Sequence, residues 1–189
     1  PYTITYQLLN NGAIKVTASM QVKKNWPELP RFGMRMQMPL TYEQINFYGR
    51  GPWENYSDRK TAAFVGLYEQ KTADQFVANY IRPQENGYKT DIRWVSLFDE
   101  NKNGITITGV QPICFSALPY TTEDLDPGNT KKQQHPSNLN EKKFITVQID
   151  LNQRGVGGDN SWGAYPHAPF MLTQNNYTYS YIIEPFIKK

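Results

Sequence analysis

Alternation with a period of two runs through most of the chain. In "AIKVTASMQV", Ile14, Val16, Ala18, Met20 and Val22 are apolar while Lys15, Thr17, Ser19 and Gln21 are polar. "RFGMRMQM" sets Phe32, Met34, Met36 and Met38 against Arg31, Arg35 and Gln37. "FITVQIDL" repeats this with Ile145, Val147, Ile149 and Leu151, and "YTYSYII" with Tyr177, Tyr179 and Tyr181. Such a period puts one face of each strand in a core and leaves the other wet or half-covered. "NNG" at 10–12 and "NKNG" at 101–104 mark hairpin turns. Only "TADQFVANY" (72–80) and "TTEDL" (121–125) read as helical, and both are short. The pattern predicts an all-β chain, a large antiparallel β-sandwich of many strands with at most short helices.

No shift in composition divides the sequence, so residues 1–189 are expected to form a single domain. Its 189 residues suffice for a core without disulfides or metals. The polar stretch 119–143 is longer than an ordinary connection, a length typical of functional or mobile loops. Pro1 stands without an initiator Met in what reads as a strand, which suggests a segment of a longer polypeptide. No apolar run approaches membrane-span length and no signal-type segment is visible, so no membrane partner is expected and the compartment stays open.

Charge and composition narrow the picture further. The formal charge is +3, with basic residues scattered among acidic ones. Nucleic-acid binding would want a basic stripe interleaved with aromatics, and the densest basic spot is only Lys131-Lys132. Cys114, the single cysteine, lies in "PICFSAL" and reads as a small buried hydrophobe. Thirteen tyrosines, nine phenylalanines and four tryptophans suit a β-sheet and equally suit sugar contact.

Four motifs carry candidate chemistry. In "GRGPWENYSDR" (49–59), Glu54, Asp58 and Arg59 are either a polar site or a turn rigidified by pairing Arg59 with Asp58 or Glu54. In "RPQENGYKTDIRW", Glu85 is either an acid or the shoulder of an Asn-Gly turn. His135 and His167 lie about thirty residues apart without ligand spacing, so no metal site is expected. The fourth is "RGVGGDNSWGAYPHAPF" (154–170). Gly155, Gly157 and Gly158 allow sharp turning and close approach, and Asp159, Asn160 and Ser161 can brace the loop through side-chain-to-backbone bonds. Two readings of Trp162 follow: an indole presented at the loop tip, where its face suits the C–H face of a pyranose, or one tucked under its own loop.

"LPRFGMRMQMP", "NFYGRGPWENYSDR", "RPQENG" and "GVGGDNSWG", in that order and spacing, resemble the C-terminal, small-chain-like domain of large bacterial β-galactosidases of glycoside hydrolase family 2. The resemblance covers most of the chain, from about residue 1 to Lys189. It implies a galactose-mutarotase-like sandwich at the C-terminal end of an enzyme that hydrolyses terminal β-D-galactosides with retention. It carries no catalytic carboxylate onto this sequence, because in that family the two glutamates lie in an upstream barrel. It implies Mg²⁺ and a monovalent cation bound elsewhere in the parent and no cofactor here. Trp162 matches the tryptophan that stacks on the sugar, within a loop shaped by Gly155, Gly157, Gly158, Asp159 and Ser161. The β-galactoside, the barrel domain and a homo-oligomeric parent are the partners implied. "GPxENYxDR" matches as scaffold or domain-contact surface, where Trp53 and Tyr56 are expected to be uncovered. The rival readings are a stand-alone carbohydrate-binding module and an aldose 1-epimerase-like enzyme, which needs a positioned acid and base.

Overall fold

The computed structural model describes residues 1–80, 85–126, 128, 134–160 and 162–187. Among them run nine strands: β1 (Tyr2–Leu8), β2 (Ile14–Gln21), β3 (Arg31–Pro39), β4 (Gln44–Gly51), β5 (Phe64–Lys71), β6 (Lys89–Phe98), β7 (Gly104–Leu118), β8 (Phe144–Gln153) and β9 (Asn176–Phe186). All pairings between them are antiparallel. All nine belong to one sheet: seven follow the order β1-β2-β9-β7-β6-β4-β5, and off that path β3 pairs with β8, which pairs with β7. The long β7 is where the two paths meet. Its first half pairs with β9 and its last residues, Cys114–Leu118, pair with β8. The chain is an all-β antiparallel sandwich, as the alternation predicts.

The two hairpins fall where the turn residues put them. Gly12, at φ 84°, closes β1 onto β2, and Asp99 and Asn103 exchange hydrogen bonds across the turn into β7. In the core cluster, Phe47, Ile92, Ile107, Phe115, Ile145 and Val147 have no exposed surface. Phe115 meets Phe47 edge to face at 5.4 Å. Each of these side chains contributes on the order of 2–3 kcal/mol by leaving water.

Three local outcomes differ from the simple pattern. On β8 the polar positions Thr146, Gln148 and Asp150 are buried along with the apolar ones. Gln148 donates to Thr122 of the single α-helical turn α1 (Thr122–Leu125), and Asp150 meets Tyr88 and Arg31, so other elements cover that face. Residues 72–80 are not a helix. Only Thr72–Gln75 form a 3₁₀ turn, after which the Asn86 amide takes both the N–H and the C=O of Val77 and draws the chain away. On β1, Tyr2, Ile4, Tyr6 and Leu8 share a face with the inward-pointing Val16 and Ala18 yet are exposed. β1 is the end strand of its path.

Candidate functional site

Beyond β8 the chain forms a closed loop. Arg154 N–H donates to the Pro30 carbonyl, and Gly155 N–H donates to the Phe170 carbonyl at 2.8 Å, joining the two ends of the loop. Inside it, Asp159 Oδ1 meets His167 Nε2 at 2.8 Å and Trp162 N–H donates to Asn160 Oδ1. A Cβ on Gly158 would lie 2.3 Å from the Ala164 carbonyl oxygen, so only glycine lets the two arms touch. Gly163, at φ 95°, turns the chain back. Trp162 sits on this frame with 91 % of its surface exposed, so it is not tucked beneath its own loop. Tyr165 is also exposed, with the Arg154 guanidinium 5.2 Å from its ring centre. Ser161 lies outside the described residues.

The "GPWENYSDR" segment approaches the same loop from β4. Tyr56 and Arg59 exchange backbone hydrogen bonds and make a tight turn with Ser57 and Asp58 at its tip. Tyr56 is buried, stacked on Tyr88 at 5.7 Å and nearly parallel to it, contrary to the expectation that it would be uncovered. Its flat ring needs an apolar partner, and Tyr88 supplies one within the domain. Trp53 is 73 % exposed, as expected. Glu54 is the hub of the turn, accepting from Arg59 Nη2 (2.6 Å), the hydroxyls of Tyr80 and Tyr56, and Gly87 N–H. Asn55 donates to the Arg50 and Trp53 carbonyls and accepts from Thr90. Arg59 therefore pairs with Glu54. Asp58 turns the other way, into the loop: Oδ1 accepts from Val156 N–H (3.1 Å) and Oδ2 from Gly157 N–H (2.8 Å). A cavity of about 210 Å³ lies between turn and loop, bordered by Asp58, Arg59, Tyr80, Glu85 and Gly157.

Glu85 is held by Arg31 at 2.5 Å, and Arg31 also reaches Asp150 Oδ2 (3.2 Å) and Gln153 Oε1 (2.6 Å). Burial pushes the Asp150 carboxyl up to about 7 against the opposing pull of Arg31 and the Tyr88 hydroxyl, and its Oδ1 has no hydrogen-bond partner among the described residues. Burial drives Lys89 down to about 7, opposed by the charge of Glu54. Burial likewise lifts the Cys114 thiol to about 12, in keeping with an inert packed cysteine.

A family model described as the β-galactosidase small chain matches residues 1–183. The chain belongs to the β-galactosidase small-chain family. Among curated relatives, the β-galactosidase of Priestia megaterium is 37 % identical over 183 residues, 96 % of this chain. That of Halalkalibacterium halodurans is 35 % identical over 173 residues (89 %), and that of Streptococcus thermophilus 34 % over 184 residues (96 %). The chain spans 17 %, 16 % and 17 % of these relatives' own lengths.

Within this family chain, no group of three or more His, Cys, Asp or Glu among the described residues is placed to hold a metal ion. No helix among the described residues is long and apolar enough to cross a membrane. The burial of Asp150 against Tyr88 is not legible in the alternation of "FITVQIDL", which leaves the polar face wet or half-covered. The available signal was Gly33, the glycine breaking "RFGMRM". It lies opposite Asp150 on β3, where a Cβ would strike the carboxyl group.

Proposed function

We propose that this chain is the domain of a β-galactosidase that completes the substrate site of a longer enzyme, which cleaves terminal β-D-galactosides with retention. The observation that carries this reading is Trp162: an indole almost wholly in solvent on a loop braced by Asp159–His167, Asn160 and the Gly158–Ala164 contact. A free aromatic face on a fixed frame suits the apolar C–H face of a pyranose, with the loop's order set before the sugar arrives. The acid and nucleophile belong to the rest of the longer enzyme. Glu54, Glu85 and Asp150 are engaged in structural contacts here. Trp53 offers apolar surface for contact with the catalytic barrel.

The test is Trp162→Ala in the full-length enzyme. Stacking that buries about 50–100 Å² of indole is worth about 1–3 kcal/mol, hence a loss of about 10- to 100-fold in kcat/KM, with Trp162→Phe retaining more. An unchanged kcat/KM would remove the platform reading. The chain alone should turn over neither a chromogenic galactoside nor α-galactose above the buffer rate. Saturable sub-millimolar binding of lactose by the chain alone would instead mark a carbohydrate-binding module.

A further inference from the structure

We infer that Asp58 is the positioning residue of the Trp162 loop, the group through which the "GPWENYSDR" turn sets the height and tilt of the indole. The inference rests on the reading of Trp162 as a sugar platform. Both carboxylate oxygens of Asp58 are used on two successive N–H groups, Val156 and Gly157, which lie 98 and 99 residues away in sequence. Two adjacent N–H groups pointing at one anion form a concave cradle, and charge-assisted bonds of this kind are stronger than neutral ones. The loop is shaped to receive the carboxylate: a Cβ on Gly155 would stand 2.4 Å from Oδ2.

Contacts within the domain also hold the other end of this link. Asp58 protrudes from a turn whose flanks are fixed by the Tyr56–Tyr88 stack, the Glu54–Arg59 pair and the Asn55–Thr90 bonds. Without Asp58 the base of the loop would still be closed by the Gly155–Phe170 hydrogen bond, and β8 would still pair with β3 and β7. What is lost is the bond between the loop's rising arm and the domain's core. Loss of Asp58 should therefore affect the loop and its indole and leave the sandwich intact. Asparagine is not a neutral replacement, because its amide nitrogen would face an N–H where an oxygen now accepts.

The experiment is a double-mutant cycle in the full-length β-galactosidase chain carrying this domain, read together with amide exchange by mass spectrometry. Asp58→Asn should lower kcat/KM several-fold to tenfold and speed exchange in the peptide covering 154–163 by tenfold or more, with β2, β7 and β9 unchanged. In a Trp162→Ala background Asp58→Asn should cost less than twofold further, since residues acting through one group are not additive. Gly155→Ala, which displaces the carboxylate from the other side, should reproduce both effects and covers the case in which Asp58→Asn misfolds. Full additivity with Trp162→Ala, or unchanged exchange over 154–163, would overturn the inference. If Trp162→Ala itself leaves kcat/KM unaltered, the platform reading and the indole role assigned to Asp58 fall together. The exchange result then decides separately whether Asp58 holds the loop.

Discussion

Oδ2 of Asp58 occupies the space that a side chain on Gly155 would need, 2.4 Å from where its Cβ would stand. Two residues on, the demand is gone: a Cβ on Gly157 would meet the same oxygen at 3.6 Å, an ordinary van der Waals contact. Gly158 faces backbone, the Ala164 carbonyl, which cannot swing aside as a carboxylate can. The three glycines should thus respond differently to alanine. Gly158→Ala and Gly155→Ala should each loosen the loop by about 1–3 kcal/mol, and Gly157→Ala by less than about 1 kcal/mol. Cleavage rates within 155–170 under limited proteolysis, with urea midpoints as a control for the sandwich, check the order.

Asp150 makes stability depend on pH in the direction opposite to a surface carboxylate. Burial raises its carboxyl to about 7, so between roughly pH 4 and pH 7 the folded chain holds a proton that the unfolded chain has released. Its contribution is largest below pH 4, falls as pH rises to 7, and is flat beyond. The full swing is about 4 kcal/mol, from about 1.4 kcal/mol for each pH unit of the interval. Asp150→Asn should flatten this slope in urea titrations between pH 4 and pH 7. An unaltered slope would mean that Asp150 holds no extra proton in the folded chain over this interval, since the Arg31 guanidinium stays charged throughout it.

Glu54 and Glu43 offer a contrast in ion-pair energetics. The Glu54 side chain is 8 % exposed and accepts from four donors, whereas the Lys71–Glu43 pair is open to solvent on both sides. Glu54→Gln should cost about 2–4 kcal/mol, because an amide nitrogen would face donors and Arg59 would lose its counter-charge. Lys71→Ala should cost under about 0.5 kcal/mol. Denaturant midpoints at constant m-value measure both.

Tyr6 and Val16 are directly paired across β1 and β2 on the same face, yet Tyr6 is 65 % exposed and Val16 is buried. Val16→Ala should cost about 1–3 kcal/mol through lost burial and a residual cavity. Tyr6→Lys should cost less than about 1 kcal/mol and should reduce dye binding to the apolar stripe Tyr2, Ile4, Tyr6 and Leu8. A large loss from Tyr6→Lys would mean that the stripe is packed.

The sequence by itself determined the strands, the two hairpins and the apolar inner face, because these follow from residue-to-residue alternation and from glycine at fixed turn positions. It also determined family membership, through strings such as "GPWENYSDR" and "GVGGDNSWG". Pairing between segments that are remote in sequence was decided only by the tertiary structure. Nothing local tells Asp58 to reach residues 156 and 157 rather than its neighbour Arg59, or Asp150 to sit inside against Tyr88 rather than outside with the other polar positions of β8. The helical periodicity over 72–80 gave way for the same reason, since the Asn86 amide offers Val77 both partners that a helix would have supplied. Tyr56 and Trp53, three residues apart in one motif, end up buried and exposed respectively because Tyr88 covers the first and no described residue covers the second.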